Sequence, residues 1–343
     1  MSRILPRPDN VKRPSAAVIG AGNWGTVLAD LIAANGHPVS LWCRREDQAR
    51  EINRRRTNAR YLPGIRLHRN IRATHRIDEA VTGKELLIVV IPSKAFRDVC
   101  ASMGPLLTPD QLAVHATKGF EASTHCRMSE ILRQETCLRQ LGVLSGPNIA
   151  PEVAQRKPAG TVIASRFPAV VQSATALLVS SRFRVYTSQD VLGVELAGAL
   201  KNVVAIAAGV ASELDLGDNA KALLITRGMA EIRRIGTALG ALPETFAGVA
   251  GLGDLIVTCS SPLSRNFRVG AALARGEKLP EIVASLGMVA EGVNTSAVAN
   301  EIMKRHSIDA PLFDEVFRVV HQGDDPSTAL ERLMRIAPHA DVR

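Results

Sequence analysis

Short apolar runs broken by glycine fill the first half of the chain, and longer runs of helical periodicity fill the second. AAVIG, VSLWC, LLIVVIP, LAVHATKG, GVLSG, TVIAS and FRVYTS read as strands, with IRAT a weaker one. Between them, WGTVLADLIAAN, SKAFRDVCASM, HCRMSEILRQE and AVVQSATALLVS carry helical spacing. Several of the strands are continuously apolar, as expected of a sheet covered on both faces. The alternation predicts an α/β fold with a doubly wound, mostly parallel sheet. After Gln189 the strand signals nearly stop. VLGVELAGALKNVVAIAAGVA, NAKALLITRGMAEIRRIGTAL, NFRVGAALARG and TSAVANEIMKRH follow as helices with glycine-rich connectors. The expected organisation is a tail over 1–14, an α/β domain over 15–189 and an all-helical domain over 190–343.

One apolar stretch, ELAGALKNVVAIAAGV, holds a lysine. On a helix Lys201 shares its face with Ala197, Gly198, Val204, Ala205 and Ala208, three, four or seven positions away. That face supplies neither a carboxylate nor much bulk. Either the side chain lifts its ammonium into water, or it is held in a partly dry pocket for chemistry.

The first glycine turn bears on that choice. In AAVIGAGNWGTVLADLIAANG, Gly20, Gly22 and Gly25 fall in the G-x-G-x-x-G spacing between a strand and a helix. This spacing makes a tight turn, admits a pyrophosphate to the backbone and packs helix on strand, so the α/β domain is expected to be Rossmann-like and dinucleotide-binding. At the end of the second strand SLWCRRED puts Arg44 and Arg45 ahead of Glu46. An acid there would hold a ribose 2′-hydroxyl and an arginine a 2′-phosphate, so NADP is favoured slightly over NAD.

Charge and composition narrow the partners. The net charge of +9 favours anions, but aromatics are 3% of residues and the basic residues read as scattered rather than gathered on one helix. Nucleic acid is therefore not expected, and a small phosphorylated substrate with a phosphorylated cofactor fits the charge equally well. Cys43, Cys100, Cys126, Cys137 and Cys259 are odd in number and form no C-x-x-C pair, so a reduced, cytoplasmic protein without zinc or disulfides is expected. The basic tail MSRILPRPDNVKRP lacks the apolar core of a signal peptide, and no uncharged apolar run is long enough for a membrane span.

Further polar residues punctuate glycine-rich stretches. HATKGF puts Lys118 beyond a strand end, and LSGPNIAPE offers Gly146, Asn148 and Ala150. GLGDLIVTC holds Asp254, and SPLSRNFRVG reads as a helix start with Ser264 as N-cap and Arg265 placed to clamp a phosphate.

With GAGNWGT, YLPG, ATKG, GVELAGALKNVVAIAAG, GDNAKALLITRGMAE and AEGV, these stretches closely resemble the soluble bacterial-type NAD(P)-dependent glycerol-3-phosphate dehydrogenases. The resemblance implies interconversion of dihydroxyacetone phosphate and sn-glycerol 3-phosphate, supplying glycerophospholipid synthesis, by a homodimer. It implies that Lys201 is catalytic. It further implies that Lys118, Gly146, Asn148, Asp254, Ser264, Arg265 and Asn266 meet substrate, to which Asn202 is added as a ligand for a hydroxyl. The cofactor contacts it implies are Asn23, Trp24, Arg44, Arg45, Tyr61, Lys118, Ala150, Arg265, Val289 and Glu291, beside the three glycines. The chain departs from the family pattern at Asn23, where serine is common, and in ASELDLGDN, where a glycine-rich run is usual. The competing readings are a related two-domain dehydrogenase of the β-hydroxyacid or 6-phosphogluconate type and a non-catalytic dinucleotide sensor.

Overall fold

Every stretch read as a strand forms one in the computed structural model, which describes residues 14–286 and 290–335. The basic tail up to residue 13 and Val289 lie outside the described residues. The strands are β1 (Ala16–Ile19), β2 (Val39–Trp42), β3 (Ile71–Thr74), β4 (Leu86–Val89), β5 (Leu112–His115), β6 (Gln140–Ser145), β7 (Ala159–Ala164) and β8 (Phe183–Ser188). They join one sheet in the order β3-β2-β1-β4-β5-β6-β7-β8, parallel throughout except where β7 pairs antiparallel with β6. Val18 of β1 sits between Leu41 of β2 and Ile88 of β4 in register.

Helices α1 (Asn23–Ala34), α2 (Glu46–Arg55), α3 (Ile77–Val81), α4 (Ser93–Met103), α5 (Met128–Glu135), α6 (Ala150–Ala154) and α7 (Pro168–Leu178) connect the strands. The alternation of β1 explains its unbroken apolar sequence. Ala16 and Val18 enter one core with Leu28, Ile32 and Phe183, whereas Ala17 and Ile19 enter the other with Phe96 and Ile131. Helix α2, absent from the sequence reading, buries only Ala49 and Ile52 among its ten residues. Two apolar positions are too few to raise a periodic signal.

From Val191 onward the described chain is helical: α8 (Val191–Glu213), α9 (Gly217–Ala238), α10 (Pro243–Ala247), α11 (Asp254–Ser260), α12 (Arg265–Ala274), α13 (Leu279–Leu286), α14 (Glu291–His306), α15 (Pro311–Phe317) and α16 (Pro326–Met334). Helix α8 is the axle of this half. Among the described residues it is the one helix long and apolar enough to cross a membrane, yet 83% of that window is buried within the protein. It is a core helix. Helix α12 crosses it at close range, because a Cβ at Gly209 would lie 2.0 Å from the Phe267 carbonyl and one at Gly270 would lie 1.9 Å from that of Ile206.

The positive charge is less scattered than the sequence reading held. Eleven arginines and three carboxylates fall between residues 44 and 76, an excess of eight out of the chain's net +9. They run from the end of β2 through α2 to the edge strand β3 and its following turn, and every arginine but Arg56 is exposed. No single helix gathers them, but one edge of the sheet does.

Candidate active site

The glycine turn comes first in the chain and fixes one end of the site. Gly20 has φ +117°, which only glycine adopts freely, and a Cβ there would meet the Val90 carbonyl at 2.3 Å. A Cβ at Gly25 would lie 1.8 Å from the Gly20 carbonyl, so strand and helix touch backbone to backbone. Gly22, by contrast, has open space where its side chain would be. It serves as N-cap of α1 without any side-chain cap, so no capping side chain takes up the helix's first N–H groups. An uncapped helix start beside a glycine turn fits the pyrophosphate of a dinucleotide. Two residues missed in the sequence support the turn. The buried Asn58 amide donates to the Ala21 carbonyl at 3.1 Å and to Thr26 at 2.8 Å, and Gln48 donates to the same carbonyl at 2.7 Å.

Asn23 opens α1, and Trp24 packs half-buried with its ring 6.3 Å from that of Phe183. Arg44 is exposed and Arg45 is the N-cap of α2, ion-paired with Asp47. Tyr61 lies half-buried under the Arg60 guanidinium, 5.6 Å from its ring centre. Ala150 opens α6 and is buried.

The other end is built around Asp254, which is 1% exposed. A π-helical turn over Val249–Gly253 delivers this carboxylate to the first position of α11. Such turns bulge a helix and re-aim the side chain that follows. Asp254 accepts from two lysines: Lys201 Nζ at 2.5 Å on Oδ1 and Lys118 Nζ at 2.5 Å on Oδ2. The carboxylate absent from the Lys201 face of α8 thus arrives from another helix. Lys201 also donates to Thr258 Oγ1 at 2.6 Å, one turn beyond Asp254 on α11. Thr258 escaped the sequence reading, although its spacing of four from Asp254 was the available signal.

Lys118 follows β5 and donates to the Gly146 carbonyl at 3.1 Å as well. The small residues beside Lys201 make room for this second lysine. A Cβ at Gly198 would meet Ser145 Oγ at 2.8 Å and the Lys118 stem at 3.5 Å. In the same loop Asn148 donates to the Gly160 carbonyl at 2.9 Å, while its own buried carbonyl oxygen accepts nothing from the described residues.

Burial makes Lys201 chemically unusual. It pulls the ammonium down to about 7; Asp254 opposes the shift and Lys118 adds to it. Snorkelling is excluded, since the residue is 6% exposed.

Asn202 and Asn266 meet each other: Asn266 Nδ2 donates to Asn202 Oδ1 at 2.9 Å. The Asn266 oxygen then accepts from the Gly292 N–H at 2.9 Å. Ser264 is the N-cap of α12, as its sequence suggests, accepting from the Phe267 N–H. Arg265 begins that helix, exposed, and its positive charge favours the ionised form of Glu291. Glu291 opens α14.

A second buried ionic group sits on α8 nearly two turns before Lys201. Glu195 accepts from Arg127 at 2.5 Å, from Ser129 Oγ at 2.7 Å and from the Ser129 N–H at 2.9 Å. His115 Nε2 lies 2.9 Å away without the alignment of a hydrogen bond. Burial alone would raise this carboxyl, but His115, Arg127 and Ser129 outweigh it and hold it at about 2. The network ties the start of α8 to β5 and α5. Its sequence signal was the glutamate in the quoted apolar stretch.

A mostly parallel sheet opening on a glycine turn, joined to a helical half with a buried lysine bonded to Asp254, defines a dinucleotide-dependent oxidoreductase. The N-terminal description of NAD-dependent glycerol-3-phosphate dehydrogenase matches residues 15–171, and the C-terminal description matches residues 190–331. The chain belongs to that family, whose members interconvert dihydroxyacetone phosphate and sn-glycerol 3-phosphate with NAD(P)(H). It is 44% identical over 329 residues to glycerol-3-phosphate dehydrogenase [NAD(P)+] from Halalkalibacterium halodurans, covering 95% of each chain. It is 45% identical over 320 residues to the enzyme of that name from Geobacillus thermodenitrificans, covering 92% of this chain and 93% of the relative. The crystal structure of glycerol-3-phosphate dehydrogenase from Coxiella burnetii superposes with a TM-score of 0.90 at 35% identity, covering 94% of this chain and 99% of that one.

Proposed function

We propose that Lys201 is the general acid in reduction of dihydroxyacetone phosphate and the general base in oxidation of sn-glycerol 3-phosphate. The observation that carries this is the Lys201 ammonium, buried and bound to Asp254 and Thr258, with an affinity for protons lowered to about 7. An acid–base group works best when its pKa lies near the working pH. The reduced nicotinamide, when bound, supplies a hydride to the ketone carbon. The carbonyl oxygen gains negative charge as its π bond breaks, and Lys201 delivers a proton to it and becomes a neutral amine. Oxidation reverses these steps. An ammonium has three N–H bonds; Asp254 and Thr258 accept two, leaving the third for the substrate oxygen.

Lys118 shares the Asp254 carboxylate, so one anion balances two cations and the site carries surplus positive charge. That surplus favours an oxyanion and a phosphorylated substrate. Arg265, at an N-terminus, holds the phosphate, with Asn148, Asn202 and Asn266 lining the remainder. The glycine turn, Asn23, Trp24, Tyr61, Ala150, Val289 and Glu291 hold the cofactor. Arg44 and Arg45 favour a 2′-phosphate and hence NADP(H). We further propose a division near residue 189 into cofactor and substrate domains, a homodimer in the cytoplasm, and supply of glycerol phosphate to glycerophospholipid synthesis.

Substitution tests the role of the lysine. Lys201→Ala is expected to bind NADPH normally and to lose turnover by about 10²–10⁴-fold. Steady-state rates beside a cofactor titration check it; near-normal turnover by a folded variant rejects the assignment.

A further inference from the structure

Glu291 belongs to the helical half, yet its carboxylate is bonded to the nucleotide half. Its Oε1 accepts from the Ser93 N–H at 3.1 Å, and its Oε2 accepts from Ser93 Oγ at 2.5 Å. Ser93 is the first residue of α4, just past the end of β4, and is 4% exposed. The N-cap of that helix is Pro92, which has no side-chain donor or acceptor and makes no side-chain cap. A carboxylate from 198 residues away therefore supplies both the hydrogen-bond acceptor and the negative charge that a helix start favours. The pair lies against the turn after β5: a Cβ at Gly119 would meet Glu291 Oε2 at 2.9 Å and Ser93 Cβ at 3.5 Å. Lys118 is the neighbouring residue.

The contact continues into the catalytic helix. Gly292, next to Glu291, donates to Asn266 on α12, and Asn266 donates to Asn202 on α8, beside Lys201. One hydrogen-bonded path thus runs from α4, through the starts of α14 and α12, to the helix that carries the acid–base group.

We propose that Ser93 is a positioning residue that latches Glu291 across the cleft, so that the helical half closes on the nicotinamide end of the cofactor and binds it more tightly. This rests on the reading of Glu291 as a cofactor contact. The latch needs an ionised Glu291. Burial raises that carboxyl above the usual range, while the two bonds from Ser93 and the charge of Arg265 on α12 bring it down. The remaining cation on the adjoining turn, Lys118, is paired with Asp254. Cofactor affinity should therefore fall as acid protonates Glu291. Removing the Ser93 hydroxyl should move that loss to higher pH.

Calorimetric titration of the full chain with NADPH, over about pH 5 to 8, tests this on wild type, Ser93→Ala, Ser93→Thr and Glu291→Gln. The latch predicts that Ser93→Ala weakens binding by about three- to tenfold, the loss of one charge-assisted hydrogen bond. It also predicts that the acid limb moves to higher pH in Ser93→Ala, that Ser93→Thr restores both, and that Glu291→Gln loses the limb. Unchanged or tighter binding by Ser93→Ala while Glu291→Gln is weakened overturns the latch alone. Weakened binding by Ser93→Ala with the acid limb unmoved also overturns it, since a packing defect would do the same. Wild-type affinity in Glu291→Gln overturns the reading of Glu291 as a cofactor contact as well.

Discussion

Asp254 holds two lysines on one buried carboxylate, and the balance among the three sets the chemistry of the site. Without the carboxylate, burial and Lys118 would drive Lys201 to the neutral amine. Without Lys118, Asp254 would hold the proton more firmly. Arg265 stands outside this trio at the start of α12. A bidentate phosphate contact contributes to substrate binding before and during the reaction alike. Arg265→Ala should accordingly raise KM for dihydroxyacetone phosphate at least tenfold, with a smaller change in kcat, by about 1.4 kcal/mol or more of lost binding. Initial-rate kinetics check it, and an unchanged KM would place the phosphate elsewhere. At this scale the sequence was most informative where glycine and one polar residue coincide, as at Lys118 and Asp254. Thr258, Asn58 and Ser93 were hidden because a hydroxyl or amide gains its meaning only from a partner that folding supplies, 57, 37 and 198 positions away in the chain respectively.

Elements were legible where an apolar pattern runs long enough to show its period. Strands buried on both faces and the long α8 declared themselves. Helices α2, α6 and α10 are short or mostly exposed and did not. The π-helical turn before Asp254 leaves no periodic trace, because it is a defect in a period. Interlocking of elements has its own titration. Glu231 on α9 is buried and accepts from the Leu312 and Phe313 N–H groups at 3.1 and 3.2 Å, capping α15. Burial raises its carboxyl to about 7 against those bonds. A carboxyl raised on folding contributes stability below its unfolded value of 4.5 and loses it as pH rises through about 7. Glu231→Gln should flatten the decline of Tm between those limits. Thermal unfolding across that range measures it, and an unaltered slope would assign the decline to other groups.

At the scale of the whole molecule, positive charge is concentrated along one edge of the sheet. The arginine-rich edge contains Arg44 and Arg45, and Arg54, Arg55, Arg69 and Arg72 extend it well beyond the proposed 2′-phosphate contact. Such a surface raises the local concentration of anions, and salt screens it over a Debye length of about 8–10 Å. Neutralising Arg54, Arg55, Arg69 and Arg72 together should lower kcat/KM for NADPH at low ionic strength and reduce its salt dependence, leaving kcat as it was. Rates measured against sodium chloride concentration decide this; a salt slope equal to wild type would confine the effect to Arg44 and Arg45. The total charge is legible from composition but this edge is not, since α2, the following loop and β3 become one surface only when β3 takes the outermost place in the sheet.

On the proposed role of Lys201, its protonation state sets the rate of each direction of the reaction. Between about 7 and the ordinary lysine value of 10.5, the unfolded chain carries a proton on this residue that the folded chain has released. The same shift makes Lys201 a charged acid below about 7 and a free base above it. The decisive measurement is kcat in both directions on one preparation, as a function of pH. With Lys201 as the acid–base group, reduction of dihydroxyacetone phosphate should slow as pH rises through about 7, while oxidation of glycerol 3-phosphate should quicken over the same interval. Two profiles that move together, or that stay flat there, would contradict Lys201 as the group that gives and takes the proton.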